Sequence, residues 1–230
     1  MKKTFSILLT ILFIVLAAAG ICYSYKVHKE TKENEKRIKV EYEQKLKEAE
    51  EIKKQKEAEI ELQNQEIKKA EEKKKALDEK CNQAQELFNN KKFKDAVQLA
   101  DEVLAEDNNN YRAYTIKGIA LCYDRKSNGF DEIEKALDIN PGYSYAMYNM
   151  ALAYDISFDY DNALKWYEKV LSSGKEDNLK ALSNYGIAVI EARKGNKEKA
   201  TEYLKAAVKL DKKLADMAKQ EPLLSDIEIK

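Results

Sequence analysis

The sequence predicts an all-α protein: one apolar helix at the N-terminus, a long charged helix, and then a stack of helical hairpins. Three observations predict it. The 230 residues contain two Pro and seven Gly, too few for the turns of an all-β sandwich or barrel. Gly and Pro are both absent from Ile21 through Lys117, and a gap that long without either punctuator reads as continuous helix. Small residues recur at Ala84, Gly118, Ala151 and Ala188, spaced by 34, 33 and 37, a period that suits a two-helix unit.

The first element is residues 1–25. Phe5 through Tyr23 is 19 residues without a charge. As a helix it rises about 28 Å, enough to cross a hydrocarbon core of about 30 Å. Eleven of those residues are Leu, Ile, Phe or Val, so insertion is favoured by several kcal/mol at roughly 0.3–0.6 kcal/mol each. A cleaved signal peptide is the competing reading: Lys2-Lys3 is a basic start and Ala17-Ala18-Ala19 offers a small-residue site. The apolar run is longer than the roughly 7–15 residues of a signal core, which favours an anchor. A lipid-modified Cys22 fits poorly, because Ile21 stands where bacterial lipoprotein signals have a small residue. A short Lys-containing N-terminus that stays in the cytoplasm places residues 26–230 outside, and this single-pass topology with an extracytoplasmic C-terminal domain is the expected one. The basic flank Lys26, Lys29, Lys32, Lys36, Arg37 and Lys39 pulls the other way, as do two unpaired Cys in the soluble part.

Residues 26–76 form the second element. Between Lys26 and Lys80 there are 17 Lys/Arg and 16 Asp/Glu. Opposite charges recur at i,i+4 in Glu41/Lys45, Glu43/Lys47, Glu50/Lys54 and Glu71/Lys75, each pair worth about 0.2–0.5 kcal/mol to a helix. The apolar positions make a partial heptad. Tyr42, Leu46, Ala49, Ile60, Ile67, Ala70, Leu77, Cys81 and Ala84 share one seam, which Lys53, Lys56, Gln63 and Lys74 interrupt. A solvated single helix, a weak parallel homodimer and disorder all remain open. As a helix the segment is a spacer about 75 Å long.

The third element, residues 77–213, carries the repeat. Each first small residue is followed by a second: Ala96, Gly129 (one residue early), Ala163 and Ala200. Both positions must be small because two helix axes approach to about 8–10 Å where they cross. Ala151-x-x-Tyr154 and Ala163-x-x-x-Tyr167 stand in one copy, Gly118-x-x-Leu121 and Asn140-Pro141 in another. Ala84-x-x-Leu87 with Ala96-x-x-x-Ala100, and Ala188 with Ala200-x-x-x-Leu204, complete the set. The pattern resembles the tetratricopeptide repeat, with units at 77–110, 111–143, 144–180 and 181–213. Two departures stand out: a shortened second turn at Ser127-Asn128-Gly129-Phe130, and Glu191 where the family has an apolar or aromatic residue. Residues 214–230 read as a cap over the open end of the stack.

The resemblance implies a concave groove lined by the first helix of each repeat. Its expected binding residues are Arg112, Thr115, Tyr145, Tyr148, Asn149, Tyr185 and Arg193, with Tyr rings offering flat contact and the two Arg meeting an acidic group. Ile119, Cys122, Leu152, Asp155, Leu182 and Val189 share the inward positions. A second reading makes the Tyr side chains packing groups. The Lys and Asn pattern of members that hold acidic chaperone tails is absent: of Thr115, Ile119, Tyr148, Leu152 and Asn149, only Asn149 fits.

Chemistry is sparse. The chain has no Gly-rich phosphate loop, no Cys-x-x-Cys, no Gly-x-Ser-x-Gly and one His, so no catalytic residue, cofactor or metal is expected. The 41 basic and 41 acidic side chains cancel, which argues against a nucleic-acid partner. The expected role is a membrane-anchored, non-enzymatic adaptor that binds a protein or peptide. The alternative is an envelope protein that self-assembles through stalk and repeats.

Overall fold

The long stretch without Gly or Pro does form helix, but it is cut twice by Asn, Asp and Lys. The computed structural model describes residues 2–126, 128–173 and 175–227, with side chains from Ile7 onward. Met1, Ser127 of the shortened turn, Gly174 and 228–230 of the cap lie outside the described residues. Helix α1 spans Lys2–Asn89, α2 Phe93–Glu106 and α3 Tyr111–Tyr123. The first break turns on Lys91, which takes a left-handed φ of 59°. The second is held by side-chain oxygens. Asp107 accepts from the Asn109 amide at 3.1 Å, and Asn110 caps α3 by accepting from the Ala113 amide at 3.1 Å. Asx hydrogen bonding does here what Gly and Pro do elsewhere.

The chain divides into two compact units, Met1–Glu71 and Glu72–Lys230. In the first, every described side chain is exposed, including the apolar run from Ile7 to Leu16. The helix is long and apolar enough there to cross a membrane, with a mean hydropathy of 2.5 over its best window. Of the expected ion pairs inside this unit, Glu41–Lys45 forms at 2.7 Å, while Glu43/Lys47 and Glu50/Lys54 do not close to within 4 Å. Lys53–Glu57 at 3.8 Å and Lys26–Glu30 at 4.0 Å form instead.

In the second unit the end of α1 pairs with α2, and α3 with α4 (Gly129–Ile139). Helix α5 (Ser144–Ile156) pairs with α6 (Tyr160–Ser173), and α7 (Asp177–Arg193) with α8 (Lys197–Leu210). The eight small residues of the repeat are all buried. The need for smallness is strict at Gly118, where an added Cβ would stand 2.7 Å from the Gly129 carbonyl oxygen and 2.8 Å from the Ile133 amide nitrogen, and at Gly129, where one would stand 2.7 Å from the Gly118 carbonyl oxygen and 2.8 Å from the Cys122 amide nitrogen. The shortened second turn leaves α4 with 11 residues against 14 in α2, α6 and α8. Glu191 is buried because its carboxylate accepts from the Asn196 side-chain amide at 2.7 Å, tying α7 to the turn that follows it. Helix α9 (Leu214–Gln220) and the tail bring Leu214, Ala218 and Leu224 onto the last hairpin, closing its apolar end.

Candidate peptide-binding groove

The first helices of successive repeats line one concavity of about 770 Å³. Helical spacing sets the lining: residues four or seven apart share a face. Asn82, Gln85 and Phe88 come from α1, Arg112 and Thr115 from α3, Tyr145, Tyr148, Asn149 and Leu152 from α5, and Asn178 and Leu182 from α7, with Tyr143 just before α5.

Five of the seven expected site residues meet there. Tyr145 is 40% exposed and its hydroxyl lies 3.5 Å from the Asn178 side-chain amide. Tyr143 stacks obliquely on Tyr145 at 5.7 Å and meets Tyr111 edge-on at 4.8 Å. Burial, opposed by the Arg112 charge, pushes the Tyr143 hydroxyl up to about 12. Burial likewise raises Tyr148 well above the usual phenol range. Both remain protonated donors at neutral pH. Thr115 is buried and spends its hydroxyl on the Tyr111 carbonyl of its own helix at 2.8 Å, so it shapes the floor without offering a free polar group.

Asn149 is different. It is 8% exposed, and among the described residues its side-chain amide has no hydrogen-bond partner. Its amide is not sealed from solvent: it opens into the groove, where a ligand's donor or acceptor can replace water.

The two arginines depart from expectation. Arg112 lies in the groove but is already engaged. It donates to Asp78 at 2.7 Å and to Asn82 at 2.8 Å, bracing α3 against α1. Its charge is neutralised inside the protein. Glu86 is the only other ionisable group in the lining apart from the tyrosines. Arg193 lies outside the lining, with its guanidinium 5.6 Å from the centre of the Tyr160 ring. Tyr185 lies outside it too. It packs on the last hairpin and the cap, among Ala181, Ala207 and Leu214. Of the remaining inward positions, Ile119 is core, and Asp155 turns to the buried Tyr167 hydroxyl at 3.5 Å.

Sequence reasoning missed the α1 wall. Asn82, Gln85 and Phe88 sit in the first repeat, and the same helical offsets would have found them. What results is a neutral groove of aromatic faces and amides, suited to an uncharged, extended segment.

This architecture, helical hairpins stacked around small residues and facing a concave groove, defines a repeat scaffold for protein interaction. Residues 144–173 and 181–214 match the tetratricopeptide repeat family. No curated protein matches the chain. Among solved structures it resembles "Crystal structure of MamA", 25% identical, covering 61% of this chain and 81% of that one at a TM-score of 0.49. It also resembles "Crystal structure of MamA protein", 23% identical, covering 61% and 75% at a TM-score of 0.47.

Proposed function

We propose that the protein is a membrane-anchored, non-enzymatic adaptor that captures an extended segment of a partner protein in the concave groove. The observation that carries this reading is Asn149, a largely buried residue whose amide opens into an aromatic-lined hollow and makes no hydrogen bond to the described residues. A peptide main chain supplies both the acceptor and the donor that this amide lacks. Tyr143, Tyr145 and Tyr148 supply flat contact at low entropic cost. Because Arg112 is held by Asp78, the groove selects by shape and main-chain hydrogen bonding rather than by charge.

Selection of a displayed random-peptide library on the full chain tests the groove. Peptides so obtained lose binding to Asn149→Ala, a variant that keeps its stability because the amide has no partner to lose. Peptides that bind Asn149→Ala and the native protein equally would refute the reading. The anchor role rests on residues 5–23 and on the exposure of the apolar run. Labelling Glu57→Cys with a membrane-impermeant maleimide in intact cells checks the outward topology. Labelling only after lysis reverses it.

A second reading, self-assembly through the stalk, is favoured by the exposed apolar positions Tyr42, Leu46, Ile60 and Ile67 along one seam. Sedimentation of residues 26–230 as a monomer at tens of micromolar would count against it.

A further inference from the structure

A second surface stands on the edge formed by the turns inside each repeat. Four residues there take left-handed backbone angles: Lys91 (φ 59°), Arg125 (φ 57°), Phe158 (φ 63°) and Gly195 (φ 81°). Only Gly195 adopts that conformation without steric cost. Phe158 is the least expected. It is bulky, 74% exposed, and the most exposed large hydrophobic residue among those described. Its ring meets Tyr160 edge-on at 6.4 Å but is not spent on the core, which points outward to a contact.

Phe158 lines a hollow of about 540 Å³ with Tyr123, Phe130, Ile156, Arg125 and Lys126. Tyr123 stacks on Phe93 at 5.4 Å, and beyond Phe93 lies a smaller hollow of about 310 Å³ lined by Lys91, Lys92 and Lys94. Among the described residues none of these five cations has an ion-pair partner within 4 Å. Asp95 and Asp124, which line the smaller hollow, are the carboxylates against them. The edge is thus apolar in its recess and carries an excess of positive charge at its first two turns, while the third has Asp159 beside Phe158 and at the fourth Lys194 is paired with Asp161.

We propose that this edge is a second docking surface, which receives an acidic segment of a partner protein and seats one aromatic or large aliphatic side chain in the hollow beside Phe158. Carboxylates on either side of that side chain meet Arg125 and Lys126 on one flank and Lys91, Lys92 and Lys94 on the other. A recess between two turns fits a single side chain better than it fits the flat face of a bilayer.

The test uses the full chain in detergent micelles and a fluorescein-labelled heptapeptide, a central Phe with three alternating Asp and Glu residues on each side. Fluorescence anisotropy should saturate for the native protein and weaken as salt rises. Replacing the peptide's Phe by Ala, or making Phe158→Asn, should weaken binding by about tenfold or more, as loss of a seated aromatic does. Phe158→Asn should at the same time raise the thermal midpoint, since Asn tolerates the left-handed angle, so lost binding is not lost folding. Arg125→Gln with Lys126→Gln should weaken binding and flatten its salt dependence. Asn149→Ala should leave it unchanged, which separates this surface from the groove. No saturable binding by the native protein overturns the proposal. Equal affinity in Phe158→Asn does the same. So does flotation with phosphatidylserine vesicles that the peptide fails to compete, which would assign the edge to a membrane.

Discussion

Gly186 on α7 and Tyr167 on α6 show how closely the repeat is fitted at single positions. A Cβ on Gly186 would come within 2.6 Å of the Tyr167 ring, and Tyr167 is 1% exposed with nowhere to retreat. Gly186→Ala should therefore destabilise by about 1–3 kcal/mol despite the better helix propensity of Ala, measured as a lower urea midpoint at constant slope. Asp155 makes a second residue-scale prediction. Burial raises its carboxyl above the usual range, against the pull of Arg193 and the Tyr167 hydroxyl. A carboxyl with a raised folded pKa stabilises the fold below its unfolded pKa and loses that contribution as pH rises through the folded value. Asp155→Asn should then raise the urea midpoint at pH 7 relative to the native protein, with the gain fading towards about pH 3, where both forms are neutral. Asn149 and Tyr145 were legible in the sequence because the helical period assigns their face. The engagement of Arg112 by Asp78 was not, because it depends on how α3 packs on a helix 34 residues earlier.

Among the elements, α1 is uneven. From Lys26 to Glu71 its side chains are exposed and its support is a few i,i+4 ion pairs, each worth a few tenths of a kcal/mol. From Leu77 the same helix buries Leu77, Cys81 and Ala84 against α2 and α3. Hydrogen exchange of the full chain should show weak protection over 26–71 and strong protection over 77–89 within one unbroken helix, since protection follows local stability. Uniform strong protection would indicate a partner helix on the exposed seam. The continuity of α1 was legible from the missing Gly and Pro. Its end was less so, because the breaks at Lys91 and Asp107 are made by residues that also occur inside helices. The smooth passage from charged helix to first repeat also explains why the groove wall at Asn82, Gln85 and Phe88 was hidden. The composition of the stalk continues up to the point where packing begins.

On the scale of the whole molecule, stability is a sum over neighbouring hairpins, so the ends matter most. Leu214 and Leu224 are each at most 2% exposed, and they cover the last hairpin. Truncation after Asp211 removes both side chains and should cost about 3 kcal/mol or more, at roughly 1.5–3 kcal/mol for each buried Leu. It should appear as early, separate unfolding of α7 and α8. The same cover accounts for Tyr185, whose position on the first helix of its repeat suggested the groove. The tail folds back on that face and claims it for packing, a tertiary event that no period in the sequence announces. The central claim, that the neutral concave groove and not the outer helical face captures a partner segment, is tested most directly by site-specific photocrosslinking in cells. A benzophenone amino acid is placed at Tyr145 in the groove or at the exposed Lys165 on α6. Crosslinked adducts from Tyr145 that disappear in the Asn149→Ala background, with none from Lys165, are the predicted result. Adducts from Lys165 alone, or adducts from Tyr145 that persist without the Asn149 amide, would contradict it.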